Sequence, residues 1–236
     1  MARGRGAAVV FSEKRKRFVD TATRRSFRGL GPRLASLCEQ PCSLRFPAFP
    51  KAARAGSKRR AGPARPKAKP FGKAGGVRVD RAVTRAVDAA RDTDAGPLRS
   101  RSPDAARVLR ALHLARVLPV RAQYVVWNAE ARVATALDVL GRDLDTGGWV
   151  VVEIKCGYDG SFRLPRGALR GLPLANSPLV LACLQACAGA DMLARSRAKS
   201  AARIVVVRVT REAVEVLDVP TAVARALPAV LDAVYA

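Results

Sequence analysis

Positive charge is crowded into one end of this 236-residue chain. Residues 1–75 hold 20 Lys and Arg against 3 Asp and Glu, a net of +17, whereas residues 76–236 hold 23 against 16, a net of +7 out of +24. Pro47, Pro50, Pro63, Pro66 and Pro70 interrupt the same stretch. Proline removes backbone donors and blocks helix propagation, and like charges repel, so a packed core is not expected there. The expected organisation is a disordered basic arm rich in Pro, Arg and Lys over 1–75, carrying only a short helix near Pro32–Cys38. One folded domain over 76–236 follows.

A charge excess of this size in one segment implies a polyanionic partner. Nucleic acid comes first, through phosphate neutralisation and counterion release. Two clusters, Lys14-Arg15-Lys16-Arg17 and Lys58-Arg59-Arg60, read as phosphate-binding patches, as nuclear import signals, or as a solvated basic tail. No run of about 18 apolar residues occurs, so no membrane partner is expected. The basic first residues are not followed by an apolar h-region, so secretion is not expected either. Five cysteines are an odd and sparse set, which argues for a reducing, intracellular compartment with the nucleus as one candidate. Cys38 and Cys42 share a spacing with Cys183 and Cys187, but with a lone His113 neither pair completes a zinc site of recognised type. The second pair, one helical turn apart in an apolar segment, reads as buried small hydrophobes.

From residue 76 the texture becomes that of a folded α/β domain; hydrophobic residues make up 49% of the chain, enough for a sizeable core. Apolar positions 79, 83, 86, 87 and 90 predict a helix over Val77–Arg91. Ser102-Pro103-Asp104 predicts a helix start, with serine as cap and proline in the first turn, running to about Arg116. Val120–Asn128 and Arg132–Leu140 are rich in β-formers around an Asn128-Ala129-Glu130 turn, and Gly141–Gly148 is turn chemistry leading into the strand Trp149–Lys155. Ser161–Asn176 reads as a loop. A nearly apolar helix follows from Leu179 to about Arg195, then a hairpin over Arg203–Thr210 and Ala213–Val219, then a helix over Thr221–Tyr235 capped by Thr221 and kinked at Pro228. The order predicts a mixed central sheet flanked by helices.

The chemistry-bearing feature is Asp138 followed by Glu153-Ile154-Lys155. Side chains two apart on a strand share a face, which pairs Glu153 with Lys155. Asp138, near the end of the preceding strand, is folded back beside Glu153 by the glycine-rich turn. Two close carboxylates repel unless something offsets them. Mg²⁺ (or Mn²⁺) does so, taking carboxylate and carbonyl oxygens while keeping several waters. Lys155 then orients or deprotonates an attacking water, and the metal stabilises charge growing on a phosphate oxygen. The alternative is an ordinary same-face ion pair. Two details favour chemistry. Val150-Val151-Val152 runs straight into the pair, so it ends a buried strand. Of the 23 basic residues after position 75, only Lys155 and Lys199 are lysines, and only an amine readily changes protonation when its surroundings shift its pKa.

Asp138, the glycine-rich turn and Glu153-Ile154-Lys155-Cys156-Gly157-Tyr158 resemble the active-site core of the PD-(D/E)XK nuclease superfamily. The closer likeness is to the exonuclease-type branch that includes RecB nuclease domains and phage lambda exonuclease. The resemblance spans roughly residues 75–219 and implies a restriction-endonuclease-like core. It implies Asp138 and Glu153 as metal ligands, the Ile154 carbonyl as a further ligand, and Lys155 as the catalytic lysine. Gln185 matches the glutamine the branch places on the helix after the meander, although a structural hydrogen-bonding role stands beside that one. The tyrosine expected one turn later is replaced by Ala188 and Gly189. A His or Glu common on the first helix is missing, and Asp80 or Asp88 would have to serve. The four cysteines of the branch's iron–sulfur members are also missing.

Arg163, Arg166 and Arg170 follow the active strand, either gripping phosphates beside the scissile bond or forming a solvated basic loop. Tyr158 either contacts substrate or caps the strand end. The implied function is a Mg²⁺-dependent (exo)deoxyribonuclease acting on duplex or single-stranded DNA, and the Arg/Ala-rich composition with a basic arm resembles nucleases of large DNA viruses. The alternative is a catalytically inactive nuclease-fold protein that binds nucleic acid through its arm, and RNA in place of DNA is a third reading.

Overall fold

In the computed structural model, residues 8–12, 17–38, 73–91, 98–158 and 160–236 are described. The domain is α/β, with a mixed, largely antiparallel eight-stranded sheet between two layers of helices. Its elements in chain order are β1 (Val9–Ser12), β2 (Arg17–Asp20), β3 (Ser26–Gly29), α1 (Leu30–Ala35), α2 (Lys73–Arg91), α3 (Pro103–Leu114), β4 (Val117–Asn128), β5 (Val133–Asp143) and β6 (Trp149–Cys156). Then come β7 (Ala168–Leu169), β8 (Leu172–Ala175), α4 (Pro178–Arg197), β9 (Ala201–Val209), β10 (Val214–Asp218) and α5 (Thr221–Tyr235).

The helix starts follow the expected capping chemistry where serine precedes proline. Ser102 and Ser177 each accept a hydrogen bond from the backbone N–H three residues on, at Ala105 and Val180. Thr221 does not cap α5; that position falls to Pro220, whose ring can neither donate nor accept. Helices α2 and α3 bury Val79, Val83, Val87, Val108 and Leu112 against Val139, Val150, Val152, Val205 and Val207 on one face of the sheet. On the other face α1, α4 and α5 pack over Leu137, Leu140, Val151 and Val206. Helix α4 has the length and apolarity of a membrane-crossing helix, but 56% of that stretch is buried inside this fold, the burial of a core helix. Gly189 marks its closest approach to the sheet, since a Cβ there would come within 2.5 Å of Leu137 Cδ2.

The arm expected over 1–75 is corrected for residues 8–12 and 17–38. Strands β1, β2 and β3 form an antiparallel meander whose last strand joins β5 in parallel, Arg28 opposite Val133 and Gly29 opposite Ala134. Val9, Leu30 and Leu34 are buried, so this segment contributes to the core despite its charge. Two further expectations shift. Strand β5 runs through Gly141 to Asp143 before turning, and the segment read as a loop over 161–176 contains the small β7–β8 hairpin, bridged to Cys38.

The pairing of β5 creates the feature that matters for function. One edge of β5 is lined throughout by β4. The other is divided, since β6 pairs with residues 139–142 and β3 with residues 133 and 134. Beyond the Val139–Val152 pair, β6 leaves β5 and continues in parallel with β9, Glu153 opposite Val206 and Lys155 opposite Arg208. The sheet therefore forks at Asp138.

Candidate active site

Asp138 stands at the fork, in the middle of β5 and not at its end. Past the fork the Ile154 N–H has no partner strand on that side, and Asp138 Oδ2 accepts from it at 2.7 Å. A carboxylate thus replaces a ladder hydrogen bond and ties β5 to β6 where they part. Strand alternation sends Val152 and Ile154 toward α2 and α3, and Glu153 and Lys155 toward α4. The Val139–Val152 pair makes Asp138 and Glu153 the next opposed positions of the two strands, where cross-strand side chains share a face. At the fork both carboxyls line one cavity, and each acts on the other's titration.

The remaining groups come from both helical layers. Lys155 Nζ ion-pairs with Glu153 Oε1 and donates to Gln185 Oε1 of α4 at 3.1 Å. From the other layer, α2 supplies Gly76, Val77 and Asp80. Together with Asp138, Glu153, Ile154, Lys155, Cys156, Tyr158 and Gln185 they line a cavity of about 290 Å³. The structure thus brings Asp138, Glu153, Ile154, Lys155, Gln185 and Tyr158 together, and adds Asp80. Asp88, two turns further along α2, is exposed.

The electrostatics are those of crowded acids. Glu153 is 3% exposed, and burial followed by the charge of Asp138 pushes its carboxyl up to about 8. Burial likewise raises Asp138, partly offset by Lys155 and by the Ile154 N–H. Asp80 is pushed up to about 6 by burial and by Asp138. Burial alone would lower the Lys155 ammonium, but Glu153 and Asp138 outweigh it and the pKa rises. The two carboxylates thus favour the charged form of Lys155, a hydrogen-bond donor in this arrangement. The Cys156 thiol is pushed up to about 12, mainly by burial, so it is protonated and unreactive. Cys183 and Cys187 are buried free thiols held up in the same way.

Among the described residues, no three His, Cys, Asp or Glu side chains gather closely enough to cage a metal ion. The donor set at the fork suits a cation that is not caged. Mg²⁺ binds through one or two carboxylates and keeps most of its waters. Asp138, Glu153 and the Ile154 carbonyl can supply that set. A cation would offset the burial that raises both carboxyl pKa values and the Asp138 charge that adds to it at Glu153.

The arginines of the β6–α4 connection are only partly gathered. The Arg166 guanidinium lies 6.0 Å over the Tyr158 ring, which itself stands 5.7 Å from Phe162. Arg163 and Arg170 are exposed on the same connection, outside the cavity lining. Arg17 opens β2 and donates to Ser26 Oγ at 3.3 Å. Lys14, Arg15, Lys16, Lys58, Arg59 and Arg60 lie outside the described residues.

Sequence reasoning missed Gln123. Its Nε2 donates to Asp80 Oδ1 at 2.8 Å, and its side chain also helps to lower the pKa of the Asp138 carboxyl. Nothing in the residue pattern marks it, because its place opposite Asp138 depends on a register shift between Pro119 and Arg121.

Neither a scan of protein-family models nor a search of curated proteins finds a match to this chain.

Proposed function

We propose that the protein is a Mg²⁺-dependent nuclease of PD-(D/E)XK type that hydrolyses DNA phosphodiester bonds at the fork between β5 and β6. The observation that carries this reading is the convergence of Asp138, Glu153, Lys155 and Gln185 on one cavity. Acidic ligands, a charged lysine and a polar amide are the groups that phosphodiester hydrolysis needs within reach of one phosphorus. Bound between Asp138, Glu153 and the Ile154 carbonyl, Mg²⁺ would supply a more acidic water and a Lewis acid for the phosphate oxygens.

The protein's own residues supply the rest. Asp138 is oriented by the Ile154 N–H. Lys155, held protonated by the two carboxylates, donates to the attacking oxygen or to the phosphate oxygen that gains charge. Gln185 fixes the direction of the Lys155 ammonium. Arg166 and the basic residues outside the described segments add phosphate affinity that does not depend on sequence.

The test is cleavage of linear duplex and single-stranded DNA by the full chain in Mg²⁺, beside Glu153→Ala and Lys155→Ala. Wild-type cleavage that disappears in EDTA and in both variants is expected. Full activity in both variants would remove the proposed site.

A second reading is supported by a specific observation. The Lys155 ammonium already pairs with Glu153, and no three metal-ligating groups are closely gathered among the described residues. A catalytically inactive nuclease-fold protein that binds nucleic acid through its basic segment would have this arrangement. It predicts salt-sensitive DNA binding that survives Glu153→Ala, with no cleavage by the wild type. Neutralising Lys58, Arg59 and Arg60 tests the binding better than deleting residues 1–75, because that deletion would also remove β1, β2, β3 and α1.

A further inference from the structure

Gln123 has an unusual backbone and an unusual pair of partners. It lies on β4 across from Asp138, between the register pairs Ala122–Val139 and Tyr124–Leu137, and its φ is +49°. A non-glycine residue in the left-handed region costs about 1–2 kcal/mol. Such strain persists where the surroundings over-determine it, and it collects at functional sites. Tyr158, with φ +61°, is another such residue, and it lines the cavity directly.

The side chain of Gln123 joins two acids from different elements. Nε2 donates to Asp80 Oδ1 of α2 at 2.8 Å, and from its place across β4 and β5 the side chain also helps hold the pKa of the Asp138 carboxyl down. A primary amide carries two N–H donors on one nitrogen, so it can serve two carboxylates at once. A lysine or arginine would make the same contacts but cancel the negative charge. The amide links the acids and leaves their charge available to a cation. Asp138 is itself held through Oδ2 by the Ile154 N–H of β6, with Gln123 across from it on β4.

We propose that Gln123 is a positioning residue, whose amide holds Asp138 and Asp80 against the α2 side of the fork and so fixes the direction in which Asp138 presents its carboxylate to a divalent cation. This rests on Asp138 and Glu153 being cation ligands. It assigns Gln123 no contact with the cation or with substrate.

The test is calorimetric titration of Mn²⁺ into the metal-stripped full chain, for the wild type, Gln123→Ala, Gln123→Met and Glu153→Ala. Thermal unfolding of each in EDTA runs alongside. Methionine keeps the length of glutamine without its donors, and position 123 is exposed, so at least one variant remains folded. Both Gln123 variants are expected to bind Mn²⁺ about tenfold more weakly, the effect typical of losing a group that orients a ligand. A melting-temperature change in the Gln123 variants with unaltered Mn²⁺ affinity would overturn the positioning role, and so would unaltered values of both, provided Glu153→Ala weakens binding. If Glu153→Ala binds as the wild type does, or the wild type binds no Mn²⁺, the cation site itself fails and takes the proposal with it.

Discussion

Replacing Glu153 with glutamine should stabilise the metal-free protein above pH 7 and leave it nearly unchanged near pH 5. The carboxyl is 3% exposed and titrates at about 8 in the fold, against an ordinary 4.5. The folded chain thus holds this proton to higher pH than the unfolded chain does. The stabilising contribution of that proton is complete below the unfolded value and is lost as pH rises toward the folded one. Each pH unit in that window is worth about 1.4 kcal/mol, so the most that ionisation can cost is about 5 kcal/mol. That value already includes the pull of the Lys155 ammonium. The glutamine gives up this attraction, so the expected gain for Glu153→Gln is smaller, roughly 2 kcal/mol at pH 8.

The competing effect is the loss of a partner for Lys155, which can cost about 3–5 kcal/mol when a buried charge is left alone. Here the glutamine oxygen still accepts from Nζ, and Asp138 still faces the ammonium. The assay is thermal unfolding of both proteins in EDTA from pH 5 to pH 9. At about 2–4 °C per kcal/mol for a chain of this size, the variant should melt roughly 4–8 °C higher at pH 8. A difference that does not vary with pH, or a variant less stable at pH 8, would refute the electrostatic account of the site.

Other expectations follow from particular residues. Lys155→Ala should lower the single-turnover cleavage rate about 10²- to 10³-fold while leaving DNA affinity nearly unchanged. Gly141→Ala would put a Cβ 2.9 Å from the Leu118 carbonyl oxygen, and thermal melts should show a loss of about 1–3 kcal/mol. Ser177→Ala removes the cap that accepts from Val180 N–H, and denaturant titration should read a loss of about 1 kcal/mol. Neutralising Lys58, Arg59 and Arg60 should flatten the dependence of log K on log salt by about 0.9 for each duplex phosphate that is no longer neutralised.

Much of the domain was legible because its signals are local. Ser102 and Ser177 followed by proline mark the starts of α3 and α4, and the valine-rich runs mark β6 and β9. Strands β1, β2 and β3 were not legible. Each is four residues long, too short to establish a period, and Arg17, Arg24, Arg25, Arg28 and Arg33 gave the segment the composition of a tail. Their place is decided by a non-local event, the parallel pairing of β3 with a stretch of β5 that β6 leaves open.

The candidate site divides in the same way. Glu153 and Lys155 could be paired from strand alternation, and Gln185 stood out as an uncharged polar side chain on an apolar helix. Asp138 was matched to Glu153 by way of the turn, and the antiparallel β5–β6 register does bring the two positions opposite each other, although the ladder ends one pair earlier. That Asp138 and Glu153 together outweigh burial at Lys155 and favour its charged form could be read only from the structure. Asp80 did not match the His or Glu expected on the first helix, and only the packing of α2 beside the fork brings it to the cavity.

The most direct measurement is anomalous diffraction from crystals of the full chain soaked in Mn²⁺. A peak is predicted at the fork, bonded to carboxylate oxygens of Asp138 and Glu153 and to the Ile154 carbonyl, with Lys155 displaced from Glu153 toward solvent. No peak at saturating Mn²⁺, with the Lys155–Glu153 pair intact, would contradict the assignment of this cavity as a metal-dependent nuclease centre.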